Sequence, residues 1–210
     1  SGFFDSSADI ELTSKAISLL LQSKDKSKKR EFKAQFTKHI KFNSLKKEIF
    51  LDEKIAKDIN QLKNVCDSKN FNKIIKDLKK ANLPSGIVSI FYGFPGTGKT
   101  ASVYEIAKLT KRDVLQVDIS SIQSKWVGES EKNTKAIFDE YKRACEILKS
   151  KPILLFNEAD AIISKRLDVT DAVGQMNNTM QNILLEELEN FDGIFMATTN
   201  LIDNMDDAFS

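Results

Sequence analysis

The sequence predicts an α/β fold, a parallel sheet with helices on both faces, preceded by an N-terminal helical segment. Two observations support this. After a break at residues 82–86, which contain Pro84, four short apolar runs alternate with helical stretches. Before the break, apolar residues recur at helical spacing. The 210 residues suffice for one such domain and a smaller attachment.

The sequence predicts helices joined by a charged linker in the first part of the chain. Residues 8–22 carry one apolar stripe, residues 23–33 are nearly all polar, and residues 45–80 return to a helical pattern. We therefore divide the chain into an N-terminal helical segment with its linker, residues 1–44, and a core, residues 45–210.

The core should contain four parallel strands, each followed by helical or loop sequence. No internal repeat interrupts the alternation. The expected strands are residues 87–92, 114–117, 153–156 and 194–197, and the expected helices are residues 99–110, 130–149 and 177–191. Residues 164–178 are polar and irregular, which predicts a loop or a disordered segment.

Charge is unevenly distributed along the chain. Residues 1–80 hold 19 Lys and Arg against 11 Asp and Glu, whereas residues 81–210 hold 13 against 19. A basic front is compatible with binding to nucleic acid or to an acidic partner. Because the lysines alternate with Ile and Leu at helical spacing, solvated helix faces are the favoured interpretation.

The composition argues against several other classes of protein. Two cysteines, Cys66 and Cys145, do not form a disulfide framework and fit a reducing cytoplasm. His39 is the single histidine, so a His/Cys metal site is not expected. Apolar runs of about five or six residues are far shorter than the roughly 20 that cross a bilayer, and the acidic N-terminus does not resemble a signal peptide. We expect a soluble, cytoplasmic protein without membrane contacts.

The strongest motif lies between the first core strand and the helix after it. It fits the pattern G-x-x-x-x-G-K-[ST], in which glycines let the backbone wrap a phosphate and the helix N-terminus adds positive charge. Lys99 would contact the β- and γ-phosphates and the Thr100 hydroxyl would bind Mg²⁺. The predicted nucleotide-binding residues are Gly93, Phe94, Pro95, Gly96, Thr97, Gly98, Lys99, Thr100 and Ala101.

A second motif follows the strand at residues 153–156. Asn157, Glu158 and Asp160 stand where ligands bind in open α/β sheets. Glu158 is suited to orient a water for attack on the γ-phosphate, although a structural carboxylate at a helix start is the alternative. Asn157 keeps an acceptor oxygen near Mg²⁺ and its waters but lacks the charge of an aspartate. ATP binding is therefore expected more firmly than rapid turnover.

The base of the nucleotide can also be predicted. The string N-K-x-D, which guanine recognition usually needs, does not occur. Residues 171–174 match D-x-x-G, but no strand precedes them. We therefore expect adenine rather than guanine.

Together with Ala197-Thr198-Thr199-Asn200, these motifs resemble the AAA (AAA+) ATPase family. The resemblance covers roughly residues 45–210 and is closest to a bacterial group in which helices run straight into the Walker A strand. Most P-loop ATPases carry Asp where this chain has Asn157. The resemblance implies a P-loop NTPase fold, ATP and Mg²⁺ as cofactors, ring assembly, and a sensor-1 role for Asn200. Capping of the following turn is the alternative role for Asn200. The resemblance also implies that the loop with Phe50 and Leu51 approaches the adenine.

The segment around Trp126 resembles the first pore loop of the family. Trp126, Val127 and Gly128 would then grip an extended polypeptide, whereas a partly buried Trp is the plainer interpretation. Residues 164–178 are candidates for a second pore loop. The resemblance thus implies that hydrolysis is coupled to remodelling or threading of a protein substrate.

The resemblance also places the arginine fingers, the last core strand and the lid beyond residue 210. We therefore expect a truncated chain with an open sheet edge beside the Walker A strand, able to bind ATP but nearly inactive. Two other functions stay open: a nucleotide-gated binding module with weak hydrolysis, and a nucleic-acid motor or loader that uses the basic front.

Overall fold

A computed structural model shows how the chain folds. It describes residues 31–45, 53–119, 130–165, 172–201, 206 and 208. The chain divides into two compact units, residues 1–31 and 32–210. The helical stripe predicted at residues 8–22 lies in the first unit, outside the described residues.

The second unit is built on a five-stranded sheet with the strand order β1-β3-β4-β5-β2. The strands are β1 (Lys38–Ile40), β2 (Ile87–Tyr92), β3 (Val114–Asp118), β4 (Ile153–Asn157) and β5 (Ile194–Thr199). Strands β2 to β5 are mutually parallel along the sheet, which confirms the predicted parallel fold. Strand β1 pairs antiparallel with β3 and was not predicted.

Helices cover both faces of the sheet, as the sequence predicts. They are α1 (Glu53–Cys66), α2 (Ser68–Lys80), α3 (Lys99–Leu109), α4 (Ser130–Ile147), α5 (Asp160–Ile163) and α6 (Ala172–Glu189), with a 3₁₀ turn at Phe42–Ser44. None of the helices in the described ranges is both long and apolar enough to cross a membrane.

The alternating side chains of the strands supply two separate cores. On β4, Leu154 and Phe156 join the core that contains side chains of α4 and α6. Ile153 and Leu155 join the other core, which contains side chains of α1, α2 and α3. Because successive side chains of a strand point to opposite faces, the apolar residues 153–156 of β4 can lie in the centre of the sheet, buried on both sides.

The start of α6 differs from the sequence prediction. Residues 172–178 were expected to be irregular, but they form the first two turns of this helix. Met176 and Met180, one turn apart, are 6% and 1% exposed and pack in the α4–α6 core. Two well-buried methionines on one helical face outweigh the polar residues between them. Residues 166–171 lie outside the described ranges.

The compact unit begins at Phe32, so residues 32–44 lie with the core, whereas the sequence placed them in the N-terminal segment. The carboxylate of Glu140 on α4, which is fully buried, accepts hydrogen bonds from the backbone N–H groups of Gln35 (2.7 Å), Phe36 (3.0 Å) and Thr37 (3.0 Å). The Thr37 hydroxyl donates to the same carboxylate at 2.5 Å. This carboxylate holds the chain where it enters β1.

Both cysteines are free thiols. Burial raises the pKa of Cys66 to about 11, and burial also raises the pKa of Cys145. Because the thiolate is the reactive form, the raised pKa values lower the reactivity of both thiols. Cys66 is a fully buried apolar group in one core, and the partly buried Cys145 packs against the other.

We predict that Glu140→Ala lowers the free energy of unfolding by about 2–4 kcal/mol, since several donors lose their acceptor together. Glu140→Gln should cost less, because it keeps one acceptor oxygen. Urea denaturation of both variants measures the effect. Glu146→Ala, at an exposed position of the same helix, is the control and should change stability by less than about 0.5 kcal/mol. Equal effects at residues 140 and 146 would contradict the proposed anchor.

Candidate active site

A glycine-rich loop connects β2 to α3. Gly93, Gly96 and Gly98 have φ angles of 142°, 80° and 84°, a region that side chains with a Cβ rarely adopt. Gly98 is also the N-cap residue of α3. These three glycines allow the chain to turn from the sheet edge directly into the first turn of the helix. The N-terminus of α3 therefore faces the space above the carboxyl ends of the strands.

The ammonium group of Lys99 lies between this loop and the end of β5. Its Nζ atom donates to the carbonyl oxygens of Gly93 and Phe94, both at 2.9 Å, and to Oδ1 of Asn200 at 3.0 Å. Lys99 and Asn200 are 101 positions apart in the sequence. The structure thus brings together two residues that the sequence assigned to one site from separate motifs.

Asn157, at the end of β4, connects several polar groups below the loop. Its Oδ1 atom accepts hydrogen bonds from the hydroxyl groups of Thr100 at 2.7 Å and Thr198 at 3.1 Å. Its Nδ2 atom donates to Oδ1 of Asp118 at 3.1 Å. Asp118 ends β3 in register with Asn157. Helix α3 and three parallel strands are therefore linked through a single amide.

Glu158 follows β4 and has a left-handed backbone conformation, with φ of 54°. Its N–H donates to the Thr198 hydroxyl at 3.1 Å, and the next N–H, of Ala159, donates to the Thr198 carbonyl at 2.8 Å. For a residue other than glycine this conformation costs about 1–2 kcal/mol. The turn directs the chain from β4 into α5 and leaves Glu158 exposed at the cleft.

Asp160, at the start of α5, fixes the end of β5. Its Oδ1 atom accepts from the Thr199 hydroxyl and, at 2.6 Å, from the N–H of Asn200. Its Oδ2 atom accepts from Nδ2 of Asn200 at 3.2 Å. Asp160 thereby orients the Asn200 amide, with the nitrogen toward its own carboxylate and the oxygen toward Lys99. Sequence reasoning named Asp160 only as part of an acidic strand end.

A cleft of about 380 Å³ lies beside these groups, although Asn157, Asp118 and Asp160 are not among the residues that line it. Its lining contains most of the predicted site residues together with two threonines that were not predicted. The lining residues are Pro95, Gly96, Gly98, Lys99, Thr100, Ala101, Glu158, Thr198, Thr199 and Asn200. The predicted residues Gly93, Phe94 and Thr97 instead line an adjoining groove of about 600 Å³ against α1, which Lys99 also borders.

Two sets of predicted residues lie outside the described ranges. They are the pore-loop candidates Trp126, Val127 and Gly128, and the candidates for base contacts, Phe50 and Leu51. Their roles stay predictions.

The side chains below the loop suit magnesium chemically. Mg²⁺ prefers oxygen ligands and usually keeps several waters, bound by one or two protein groups and the phosphates of a nucleotide. The Thr100 hydroxyl, the Asn157 amide oxygen and the carboxylate of Asp118 supply oxygens in one connected cluster. Within the described part of the chain, no group of three or more His, Cys, Asp or Glu side chains forms a metal cage. The oxygens of Thr100, Asn157 and Asp118 are of the kind that Mg²⁺ prefers.

A strand that passes through a glycine-rich loop into a helix, beside parallel strands with polar ends, defines a P-loop NTPase of the α/β class. The family described as ATPase family associated with various cellular activities (AAA) matches residues 89–210, more than half of the chain. The chain therefore belongs to the AAA ATPases.

Curated relatives agree with this assignment. The chain is 34% identical over 133 residues to the ATP-dependent zinc metalloprotease FtsH of Malacoplasma penetrans, covering 61% of this chain and 15% of that protein. It is 34% identical over 130 residues to the proteasome-activating nucleotidase of Saccharolobus solfataricus, covering 60% of this chain and 31% of that protein. The chain spans less than a third of the length of these relatives.

A solved structure supports the fold. The crystal structure of the FIGL-1 AAA domain superposes with a TM-score of 0.52 at 23% identity, covering 75% of this chain and 48% of that chain. At this identity the likeness concerns the fold alone.

The backbone at Glu158 gives a testable prediction. We expect Glu158→Gly to be more stable than Glu158→Ala by about 1 kcal/mol, because only glycine adopts a positive φ without steric cost. Both variants lack the carboxylate. The difference between their free energies of unfolding, measured by chemical denaturation, therefore reports the cost of the backbone conformation. At Lys142, an exposed position within α4, the order should reverse, with Ala favoured by about 1 kcal/mol. If Ala is more stable than Gly at residue 158 as well, the backbone at Glu158 is not strained.

Proposed function

We propose that this chain binds ATP with Mg²⁺ in the cleft, and that in the complete protein the same residues hydrolyse the bond between the β- and γ-phosphates. The observation that carries the proposal is the 3.0 Å hydrogen bond between Lys99 Nζ and Asn200 Oδ1. It joins the loop that would hold the phosphates to the strand end beside Glu158. Binding and water-activating groups thus border one cleft.

The loop and Lys99 would bind the phosphates. The N-terminus of α3 presents backbone N–H groups and the positive end of the helix dipole to the cleft. Lys99 Nζ now donates to two neutral carbonyl oxygens and a neutral amide oxygen. A phosphate oxygen carries negative charge, so it is a stronger acceptor and would replace such partners. The charge of Lys99 therefore remains available to a nucleotide.

The hydroxyl of Thr100 would bind Mg²⁺, and the amide oxygen of Asn157 would contact the waters of the ion. Bound Mg²⁺ would neutralise charge on the β- and γ-phosphates. Before the nucleotide enters, the hydrogen bond between Thr100 and Asn157 already holds the hydroxyl at the strand end. This limits the reorganisation that binding requires.

Glu158 and Asn200 would direct the attacking water. The Glu158 carboxylate accepts a proton as the water oxygen bonds to the γ-phosphorus, and the bond from that phosphorus to the bridging oxygen breaks to release ADP. Asn200 would hold the water in line, because Asp160 fixes its amide. Glu158 is exposed and lines the cleft, which supports this role.

We further propose that the complete protein couples hydrolysis to remodelling of a protein substrate within a ring. The support is family membership together with two relatives whose names describe a protease and an activator of the proteasome. A nucleotide-gated binding module and a nucleic-acid motor are the competing proposals. Turnover that a protein substrate stimulates would support remodelling. Binding to DNA or RNA that weakens with salt would support the nucleic-acid motor.

Lys99→Ala should weaken ATP binding at least tenfold, because charge-assisted hydrogen bonds to phosphate are lost. Isothermal titration with ATP and Mg²⁺ measures the affinity. Lys76→Ala removes an equal charge at an exposed position of α2 and should leave the affinity unchanged. Equal affinities for wild type and Lys99→Ala would refute the assignment of the loop.

Glu158→Gln should keep the affinity for ATP and lower turnover about 100-fold or more, since the amide cannot take up the proton. Phosphate release by the complete gene product, measured together with its mass in solution, gives the rate and the state of assembly. Glu131→Gln, near the start of α4, is the matched control with unaltered turnover. Unchanged turnover in Glu158→Gln would remove Glu158 from the mechanism. ATP binding without turnover in the wild type would favour the nucleotide-gated module.

A further inference from the structure

Asp118 and Asn157 end neighbouring parallel strands and lie directly opposite each other. The Asp118 Oδ1 atom accepts from Asn157 Nδ2 at 3.1 Å and from Gln116 Nε2 at 2.6 Å. Neither the nucleotide-binding loop nor the acidic motif after β4 includes Asp118. The Asp118 carboxylate nevertheless lies on β3, directly beside the Asn157 amide at the end of β4.

The carboxylate decides which way the Asn157 amide points. An ionised carboxylate only accepts hydrogen bonds, so the amide must meet it with its nitrogen. The amide oxygen then faces the opposite direction, toward the hydroxyl groups of Thr100 at 2.7 Å and Thr198 at 3.1 Å. If the amide were rotated by half a turn, its oxygen would face the carboxylate. Asp118 therefore sets the acceptor beside Thr100.

Gln116 and Tyr104 hold Asp118 from the other side. The Tyr104 hydroxyl donates to Oε1 of Gln116, which leaves Nε2 of Gln116 to donate to Asp118. Gln116 is buried in the sheet, and Tyr104 lies one turn after Thr100 on α3. The chain of hydrogen bonds thus starts and ends on the helix that carries the nucleotide-binding threonine. Side chains four residues apart share one helix face, so both contacts use the same side of α3.

We propose that Asp118 and Asn157 together form the acidic side of the Mg²⁺ site, an inference that rests on the proposed function. Asp118 supplies the negative charge and positions Asn157, and Asn157 presents a neutral oxygen beside Thr100. This accounts for the amide at residue 157. An aspartate there would place two carboxylates in contact, and like charges at this distance disfavour each other. Asn157 can donate a hydrogen bond to Asp118, whereas an ionised aspartate at residue 157 could not.

The test compares how strongly Mg²⁺ increases the affinity for ATP. Isothermal titration with ATP is performed in excess Mg²⁺ and in EDTA, and the ratio of the two affinities is the Mg²⁺ effect. Asp118→Asn keeps an acceptor for Asn157 but removes the charge, and it should lower the ratio about tenfold. The exchanged variant Asp118→Asn with Asn157→Asp has one carboxylate and one amide again. Its ratio should return to within about threefold of the wild type.

Controls separate this inference from the proposed function. Asp139→Asn removes an exposed charge on α4 and should not change the ratio. A wild-type ratio in Asp118→Asn, with ATP binding still lost in Lys99→Ala, would overturn the role of Asp118 and leave the ATP site in place. Absence of ATP binding by the wild type in both buffers would overturn both proposals.

Folding of each variant is checked by thermal unfolding. If Asp118→Asn does not fold, the exchanged variant decides the question. A folded exchanged variant with a restored ratio supports the inference, and one with a low ratio overturns it. If neither variant folds, the pair has a structural role only, and the inference is wrong.

Discussion

The parallel pairing of β3, β4, β5 and β2 is the constraint on which the candidate site depends. Parallel strands all end at the same edge of a sheet, so polar residues that follow apolar runs come together there. In this chain the register places Asp118 opposite Asn157 and Tyr92 opposite Thr199. The loop after Tyr92 therefore reaches the end of β5, and its lysine meets Asn200. A register shift of one residue in any of these strands would turn the polar strand ends to the other face.

Much of this arrangement follows from local sequence patterns. Four short, mostly apolar runs bounded by helices and turns predicted the four parallel strands, and glycine spacing predicted the loop, because both signals arise within short windows. Strand β1 was missed because Lys38-His39-Ile40 has no strand pattern of its own. Its position depends on pairing with β3 and on the buried carboxylate of Glu140, which is far away in the sequence. The start of α6 was missed because burial of its methionines is a tertiary effect.

The contacts within the site could be predicted only in part. Lys99, Thr100, Glu158 and Asn200 were assigned from motifs, and the structure brings them to one cleft. The contributions of Asp118, Asp160 and Thr198 depend on strand register and on amide orientation, which a single sequence does not contain. One signal was present nonetheless. Asp118 ends a buried strand in the same way as Asn157, and parallel strands would bring two such ends together.

The two asparagines of the site occupy equivalent electrostatic positions. The Asn157 nitrogen meets Asp118 and its oxygen meets Thr100, whereas the Asn200 nitrogen meets Asp160 and its oxygen meets Lys99. Each amide thus separates a fixed carboxylate from a group that a nucleotide would use. If a carboxylate contacted Lys99 directly, an ion pair would have to break before phosphate could bind, and the incoming phosphate would also face its negative charge. An amide keeps the geometry through hydrogen bonds while leaving the charge of the lysine to the ligand. The neutral residue at position 157 is therefore consistent with nucleotide binding, because the charge that it lacks lies one strand away.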